Sequence, residues 1–328
     1  MQPITVASNG IEIAYETFGA SGGRPLLLVV GLGVQMLVWH PELCAALAAE
    51  DFFVVRYDNR DVGLSTHLHD APPPNLGAAM GGDFSSASYR VEDMADDAVG
   101  LLDALGLGWA HVVGASLGGM IAQTMAITHP DRVRSLTSIM STPWIGIGAA
   151  TPATLAALSA PPPTSRAEAV EQTVSMFKII GSPGYPLDEA WVRELAGQSH
   201  DRGFDVTGVD RQLLAIYASG DRSAALARVT VPALVVHGEA DPLIQLPGGL
   251  ATAAALPDAE LIVVPGMGHG LPREIWPTLV TAISRLADRA KASRLGEAAS
   301  AVAGFEPQLP VVVPVDGATP QHCGQRKR

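Results

Sequence analysis

The chain lacks several features that would have indicated other classes of protein. It has only 2 cysteines in 328 residues, and the distance in sequence between Cys44 and Cys323 matches no metal-binding or redox spacing. We interpret both as reduced thiols, although the sequence leaves a disulfide open. It contains no uninterrupted run of about 18 apolar residues, so we expect no helix that spans a membrane. The first residues show no basic region followed by a long apolar run, so we also expect no secretory signal.

Basic residues are also scarce. Lys and Arg together number 21 against 33 Asp and Glu, which gives a net charge of −12. Nucleic acids require a basic surface, so this balance argues against nucleic acid as a partner. Apolar residues make up 48% of the chain and charged residues 16%. This composition predicts a compact globular protein, long enough for one large domain with an insertion.

Apolar runs typical of buried strands recur along the chain. They lie at residues 26–30, 52–57, 111–113, 136–140, 233–236 and 261–264. Such runs are buried on both faces, as in a parallel sheet, and most are separated by helical segments. Before them, Asn9-Gly10 between two short apolar segments predicts a hairpin. The pattern predicts an α/β fold with a mainly parallel sheet flanked by helices.

The helical pattern divides the chain into a core, an insertion and a tail. Apolar residues at helical spacing predict helices over 91–105 and from Leu117 to His129. Helix-like patches at 167–180, 187–198 and 209–218 fall where no strand is evident. We therefore assign 1–140 and 230–291 to the α/β core, 141–229 to a helical cap (lid), and 292–328 to a poorly ordered tail.

The stretch GASLGG at residues 114–119 offers a candidate nucleophile. Ser116 lies between the strand predicted at 111–113 and the helix predicted from Leu117. Glycine and serine are ordinary turn residues, so a plain turn is the alternative. A strand, a sharp turn and a helix in this order favour a nucleophile elbow, with Gly114 and Gly118 where a side chain would clash.

A serine nucleophile needs a base and an acid, and two later loops supply them. Asp241 follows the strand at 233–236, and His269 follows the strand at 261–264. Because the carboxyl ends of parallel strands share one edge of the sheet, both can converge with Ser116. Glu239 is the main competitor for the acid, and His237 reads as a structural histidine at a strand end. The remaining competitors for the base are His129 at a helix end, His200 in the insertion and His322 in the tail.

Backbone amides would complete the site by stabilising an oxyanion. One donor should be the N–H of Leu117, the residue after the candidate nucleophile. The other should come from the loop after the strand at 26–30, where Gly31 and Gly33 flank Leu32 and let the backbone approach a substrate.

These motifs resemble those of the serine α/β-hydrolases. GASLGG looks like the nucleophile elbow, GEADP the acid loop, GMGHG the histidine loop and RYDNRDVGLS the loop after the preceding strand. The resemblance extends over residues 11–290 and is closest to anthracycline-type methylesterases and actinobacterial lipases or esterases. It maps the second oxyanion donor onto Leu32. Many relatives have His-Gly where this chain has Val30-Gly31, which removes a side chain that often supports the loop.

The resemblance implies a carboxylic-ester hydrolase that works through an acyl-enzyme, without metal or organic cofactor. Its substrate would be a small-molecule ester with an apolar part, and the protein would be cytoplasmic. The lid offers candidate acyl contacts that could equally form its own core: Met176, Phe177, Ile180, Tyr185 and Trp191. Thioesterase, phospholipase, cofactor-free perhydrolase and carbon–carbon bond hydrolase stay open, as does a receptor with little turnover. The oligomeric state and adsorption of the lid to lipid surfaces are also open.

Overall fold

An eight-stranded sheet forms the centre of the computed structural model, which describes residues 4–297, with side chains up to 292. The strands are β1 (Ile4–Ser8), β2 (Ile11–Phe18), β3 (Arg24–Val29), β4 (Phe52–Tyr57), β5 (Ala110–Ala115), β6 (Val133–Ile139), β7 (Ala233–Gly238) and β8 (Ala259–Val264). Their order is β1-β2-β4-β3-β5-β6-β7-β8. The β1–β2 and β2–β4 pairs are antiparallel and the others parallel. The predicted fold class is therefore confirmed.

Eleven helices accompany the sheet within the described residues. They are α1 (Pro41–Ala49), α2 (Leu76–Met80), α3 (Val91–Ala104), α4 (Leu117–Thr128), α5 (Pro152–Leu158), α6 (Arg166–Ile180), α7 (Glu189–Arg202), α8 (Val206–Ser219), α9 (Ser223–Leu226), α10 (Pro247–Ala255) and α11 (Trp276–Glu297). Among residues 4–297, none of them combines the length and the apolar character needed to cross a membrane.

Alternate residues of the central strands supply two separate cores. Leu27 and Val29 of β3 pack with α3 and α4 on one face, while Leu26 and Leu28 pack with α1 and α11 on the other. All four are fully buried. A strand covered on both faces has no solvent side on which to place polar residues, which explains its continuous apolar sequence.

The first hairpin turns at Asn9-Gly10. Asn9 has φ 48° and Gly10 has φ 80°. Two successive positive φ angles define the type I′ turn, whose twist matches that of the flanking strands. Asparagine and glycine tolerate this conformation best, so the predicted hairpin is present for the expected reason.

Five helices, α5 to α9, lie between the end of β6 and the start of β7. They fall within the segment 141–229 assigned to a cap. Helix α11 runs to Glu297, so its last residues, 292–297, are helical although the sequence placed them in the tail. Buried Leu286, Ala287 and Ala290 anchor the preceding turns to the core, which allows the helix to continue. The rest of the predicted tail, 298–328, lies outside the described residues.

Candidate active site

Ser116 occupies the sharp turn between β5 and α4. Its φ of 58° and ψ of −121° are unfavourable for a residue with a Cβ. Two backbone hydrogen bonds hold it there: its N–H donates to the Ile139 carbonyl at 2.9 Å, and its own carbonyl accepts from the Gly119 N–H at 2.9 Å. Ser141 Oγ also donates to the Ser116 carbonyl at 2.8 Å. The surroundings thus fix a strained backbone that presents the serine side chain at the end of the strand.

The glycines around Ser116 are required by close backbone packing. A Cβ on Gly114 would lie 2.0 Å from the Gly118 carbonyl oxygen, and one on Gly118 would lie 2.2 Å from the Val29 carbonyl oxygen. Both distances are far below van der Waals contact, and backbone atoms cannot move aside as a flexible side chain could. The spacing Gly-x-Ser-x-Gly therefore follows from the tightness of the elbow.

His269 and Asp241 meet on the loops that follow β8 and β7. His269 Nδ1 and Asp241 Oδ2 are 2.7 Å apart. The carboxylate is fully buried, and its Oδ1 accepts from the Leu243 and Ile244 N–H groups at 2.9 Å each. With every oxygen engaged, Asp241 can hold the imidazole in one orientation, which leaves Nε2 for chemistry.

The two competing residues on the acid loop have other environments. Glu239 is exposed. His237 is fully buried beside Asp241, and its Nε2 lies 2.7 Å from the Ile244 carbonyl oxygen. Burial lowers the pKa of His237 and favours the neutral ring. Its Nε2–H then donates to Ile244 and braces the turn that carries Asp241.

A short segment of the cap lies directly on the histidine loop. The His269 N–H donates to the Ile180 carbonyl at 2.6 Å, and the Gly268 N–H donates to Ser182 Oγ at 3.0 Å. A Cβ on Gly268 would lie 1.9 Å from the Gly181 carbonyl oxygen. Ile180 thus contributes its backbone to the placement of His269, a role that its apolar side chain did not indicate.

The loop after β3 lies against Ser116. A Cβ on Gly31 would lie 3.2 Å from Ser116 Cβ. Within residues 4–297, no hydrogen bond occupies the N–H groups of Leu32 and Leu117. Both amides are therefore available to a ligand beside the serine.

Two amide side chains support this loop where many relatives have a histidine. Asn59 Nδ2 donates to the Val30 carbonyl at 3.0 Å, and Gln212 Oε1 accepts from the Gly33 N–H at 2.9 Å. Gln212 belongs to α8, and its Nε2 donates to the Arg60 carbonyl at 2.7 Å. Helix α8 of the cap therefore helps to position the loop after β3, which the sequence did not indicate.

Buried carboxylates after β4 connect the core to the cap. Asp58 accepts from the Met36 N–H at 2.7 Å and pairs with Arg202, the last residue of α7. Burial raises the pKa of Asp58, with Arg202 opposing the rise. Asp61 pairs with Arg211 of α8 at 2.7 Å. Asp58 and Asp61 both lie within RYDNRDVGLS, but their arginine partners are about 150 residues further along the chain. Only the structure therefore identifies the two ion pairs.

A cavity of about 160 Å³ lies between the loop after β3 and the cap. Its lining is largely apolar and comprises Gly33, Val34, Gln35, Val38, Pro163, Ala169, Gln172, Thr173, Phe177, Leu195, Ala196, Ser199, His200 and Phe204. Of the predicted substrate contacts, Gly33 and Phe177 line it, whereas Gly31, Met176, Ile180, Tyr185 and Trp191 do not.

Three of the predicted contacts that do not line the cavity are Met176, Trp191 and Tyr185. Met176 is half-buried on α6. The Trp191 ring packs on Phe177 and His40, with ring centroids 6.3 Å and 5.4 Å apart. Tyr185 packs against the core on the α1–α11 face of the sheet. Trp191 and Tyr185 therefore join the cap to neighbouring structure, whereas the sequence had left them as acyl contacts or as part of the lid's own core.

Two of the other candidate bases have contacts of their own in the structure. His129 Nε2 lies 2.7 Å from Asp96 Oδ1 at the end of α4. His200 lines the cavity, and His322 lies outside the described residues.

The chain is similar in sequence to several known hydrolases. Rhodomycin D methylesterase DauP of Streptomyces sp. (strain C5) is 29% identical over 300 residues, which cover 85% of this chain and 95% of that protein. DnrP of Streptomyces peucetius, with the same described activity, is 28% identical over the same shares. A 2-(acetamidomethylene)succinate hydrolase of Mesorhizobium japonicum is 30% identical over 258 residues, 76% of this chain and 82% of that protein.

Solved structures show the same fold. A hydrolase from Pseudomonas aeruginosa PA01 superimposes with a TM-score of 0.63 at 25% identity, covering 90% of this chain and 98% of the other. The esterase RhEst1 from Rhodococcus sp. ECU1013 gives a TM-score of 0.66 at 22% identity, covering 87% and 100%. The family model for the alpha/beta hydrolase fold matches residues 24–272. The chain therefore belongs to the α/β-hydrolase family and, like its methylesterase relatives, is a hydrolase.

Proposed function

We propose that the protein hydrolyses carboxylic esters through a Ser116–His269–Asp241 triad and an acyl-enzyme intermediate. The observation that supports this most strongly is the 2.7 Å contact between His269 Nδ1 and the buried Asp241 carboxylate, on loops at the same sheet edge as the Ser116 elbow. An imidazole oriented in this way can serve as a general base for a neighbouring serine.

Each step of the reaction then has a residue to carry it. Ser116 Oγ attacks the ester carbonyl carbon while His269 Nε2 takes its proton, and Asp241 stabilises the imidazolium. The backbone N–H groups of Leu32 and Leu117 stabilise the negative oxygen of the tetrahedral intermediate. His269 returns the proton to the departing alcohol. Water activated by His269 then attacks the acyl-enzyme, releases the acid and restores Ser116.

The preferred substrate is a methyl ester of an apolar acid. Two of the similar proteins are methylesterases, which supports a small alcohol part in the ester that this protein cleaves. The largely apolar cavity beside Gly33 provides space for a bulky acid part, with Phe177, Leu195 and Phe204 in its wall. Thioesters, phospholipids, peracids and carbon–carbon bonds remain competing substrates because the same triad can serve them.

Replacement of the nucleophile tests the catalytic assignment. Ser116→Ala should reduce turnover of short p-nitrophenyl esters by roughly 10⁶-fold, as removal of a triad nucleophile does elsewhere. Ser175→Ala is the matched control, since Ser175 is exposed on α6, and it should leave turnover unchanged. Near-normal hydrolysis by Ser116→Ala would refute the triad.

A substrate series tests the ester class separately. Methyl esters of bulky apolar acids should give a higher kcat/KM than long-chain p-nitrophenyl esters, acyl thioesters and phospholipids. Faster turnover of thioesters or phospholipids would retain the triad but reject the methyl ester. Stoichiometric binding of an ester without turnover would favour the receptor alternative.

A further inference from the structure

Three metal-binding side chains converge outside the candidate active site. His67 and His69 lie on the loop after β4, and Asp205 immediately precedes α8 in the cap. Asp205 Oδ2 lies 3.4 Å from His67 Nδ1 and 3.8 Å from His69 Nδ1. All three potential ligand atoms lie within 4.8 Å of one another. Asp205 follows His67 by 138 residues, which explains why no metal-binding spacing is visible in the sequence.

A second contact determines which His67 nitrogen can face a cation. His67 Nε2 lies 3.1 Å from the Gly63 carbonyl oxygen. A carbonyl only accepts hydrogen bonds, so Nε2 must carry the proton. In the neutral ring, the Nδ1 lone pair then points toward the Asp205 carboxylate. Two acceptors facing each other need a cation between them, which is either a second proton on the His67 ring or a bound metal ion. A histidine whose second nitrogen donates to a backbone carbonyl is the usual arrangement of a metal ligand.

Two of the three ligand-atom separations are close to those around a tetrahedral metal ion. Bonds of about 2.0–2.1 Å to zinc place tetrahedral ligand atoms about 3.4 Å apart. The separation between His67 and Asp205 equals this value, and that between His69 and Asp205 exceeds it by a few tenths of an ångström. The His69 side chain is 73% exposed, so its ring can shift by that amount without disturbing the core.

We propose that His67, His69 and Asp205 bind a divalent transition metal ion of the Zn²⁺ type. Imidazole and carboxylate ligands suit zinc, and three protein ligands leave the fourth tetrahedral position for water. Among the lysines and arginines that the structure describes, Arg211 alone lies within hydrogen-bonding distance of Asp205, at 3.2 Å. Its guanidinium is directed mainly to Asp61, with contacts of 2.7 and 2.9 Å. Asp205 therefore keeps negative charge for the metal.

A metal at this position would join the core to the cap. His67 and His69 belong to a core loop, while Asp205 begins the helix that carries Gln212 to the oxyanion loop. The ion would restrain α8 against residues 61–69 and stabilise the folded protein, because it binds that state more tightly than the unfolded chain. The proposed metal site is independent of the proposed ester hydrolysis.

The test is Zn²⁺ binding by the full-length, chelator-treated protein, measured by calorimetry and by the thermal unfolding midpoint. The wild-type protein should bind Zn²⁺ and gain thermal stability. His69→Ala should weaken binding by at least about 100-fold, since even outer-shell changes cost 10–100-fold, and should lose the thermal gain. His129→Ala is the matched control, because His129 pairs with Asp96 at a distant helix end, and it should behave as the wild type.

Cobalt gives a second readout that does not depend on activity. Co²⁺ bound to the wild-type protein should show the visible absorption of a tetrahedral ion, and His67→Ala and Asp205→Asn should lose it while keeping their circular dichroism spectra. Absence of Zn²⁺ binding by the wild type would refute the site. Equal affinity in the wild type and His69→Ala would place the ion elsewhere and would also refute it.

Discussion

Gly114 shows how a single residue controls the elbow that holds Ser116. A Cβ at this position would overlap the Gly118 carbonyl oxygen, at 2.0 Å. We expect Gly114→Ala to lower the free energy of unfolding by about 1–3 kcal/mol or more, because the overlap can be relieved only by moving the backbone. Urea unfolding provides the measurement.

Gly108 provides the matched control for this substitution. Apart from its neighbours in the chain, no atom of residues 4–297 lies within 4 Å of the position that its Cβ would take. Gly108→Ala should therefore change the free energy of unfolding by less than about 1 kcal/mol. Similar values for the two variants would contradict the packing argument.

His111 couples stability to pH. It is buried on β5, its Nδ1 lies 2.8 Å from Ser135 Oγ, and burial lowers its pKa to about 4. The unfolded chain, with an ordinary pKa near 6.5, binds more protons between these values, so stability rises with pH across this window. The shift predicts a loss on the order of 3 kcal/mol as the pH falls from about 6.5 to 4.

Asparagine at position 111 tests this coupling. His111→Asn can keep a hydrogen bond to Ser135 but cannot titrate, so its free energy of unfolding should fall less steeply below pH 6.5. Urea unfolding at several pH values gives both slopes. Equal slopes for the wild type and the variant would show that His111 does not contribute.

At the scale of elements, α8 supports the loop that carries the proposed oxyanion donor. Gln212 is fully buried and bonds to the Gly33 N–H and the Arg60 carbonyl. Gln212→Met keeps the length of the side chain but loses both bonds. A displaced donor should then lower kcat by about 10-fold or more, because catalysis is sensitive to sub-ångström positioning.

Gln198 of α7 is the control for Gln212. It is exposed and bonds only to Glu194 on its own helix among the described residues. Gln198→Met should leave kcat unchanged. An unchanged kcat in Gln212→Met would refute the role of α8 in positioning the loop.

The elements also show which features the sequence made predictable. The hairpin at Asn9-Gly10, the strands and the elbow follow from contiguous patterns, because backbone conformation and burial are set by neighbours in the chain. The contacts of Gln212 and Asn59 with the loop after β3 join residues far apart in sequence. The spacing of apolar residues carries no information about such contacts. The sequence therefore suggested a loop without side-chain support, whereas these two side chains support it in the structure.

In the cap, too, the sequence pattern predicts the helices but not the contacts of their side chains. Apolar residues at helical spacing predicted α6, α7 and α8, but amphipathic spacing does not distinguish a residue that faces the cavity from one that packs on a neighbouring helix. Phe177 lines the cavity, whereas Trp191 packs on His40 and Phe177.

At the scale of the whole molecule, buried ion pairs hold the cap on the core. Arg211 and Asp61 are both almost fully buried and lie 2.7 Å apart. Arg211→Met would leave the Asp61 carboxylate buried without its cation. We expect the free energy of unfolding to fall by about 3–5 kcal/mol, measured by urea unfolding.

An exposed pair within the cap gives the comparison. Arg166 and Asp201 are 2.8 Å apart, and each side chain is 56% exposed. Arg166→Met should cost less than about 1 kcal/mol, because water solvates the remaining carboxylate. Equal losses in the two variants would show that burial of the Arg211 pair does not determine its contribution.

If His269 and Asp241 activate Ser116 as a nucleophile, Ser116 should react with a fluorophosphonate. Labelling of the folded protein with this reagent, followed by peptide mass spectrometry, measures that reactivity. We expect one adduct, located on Ser116, retained in Ser175→Ala and lost in Ser116→Ala. A wild-type protein that forms no adduct, or an adduct on another serine that persists in Ser116→Ala, would contradict it.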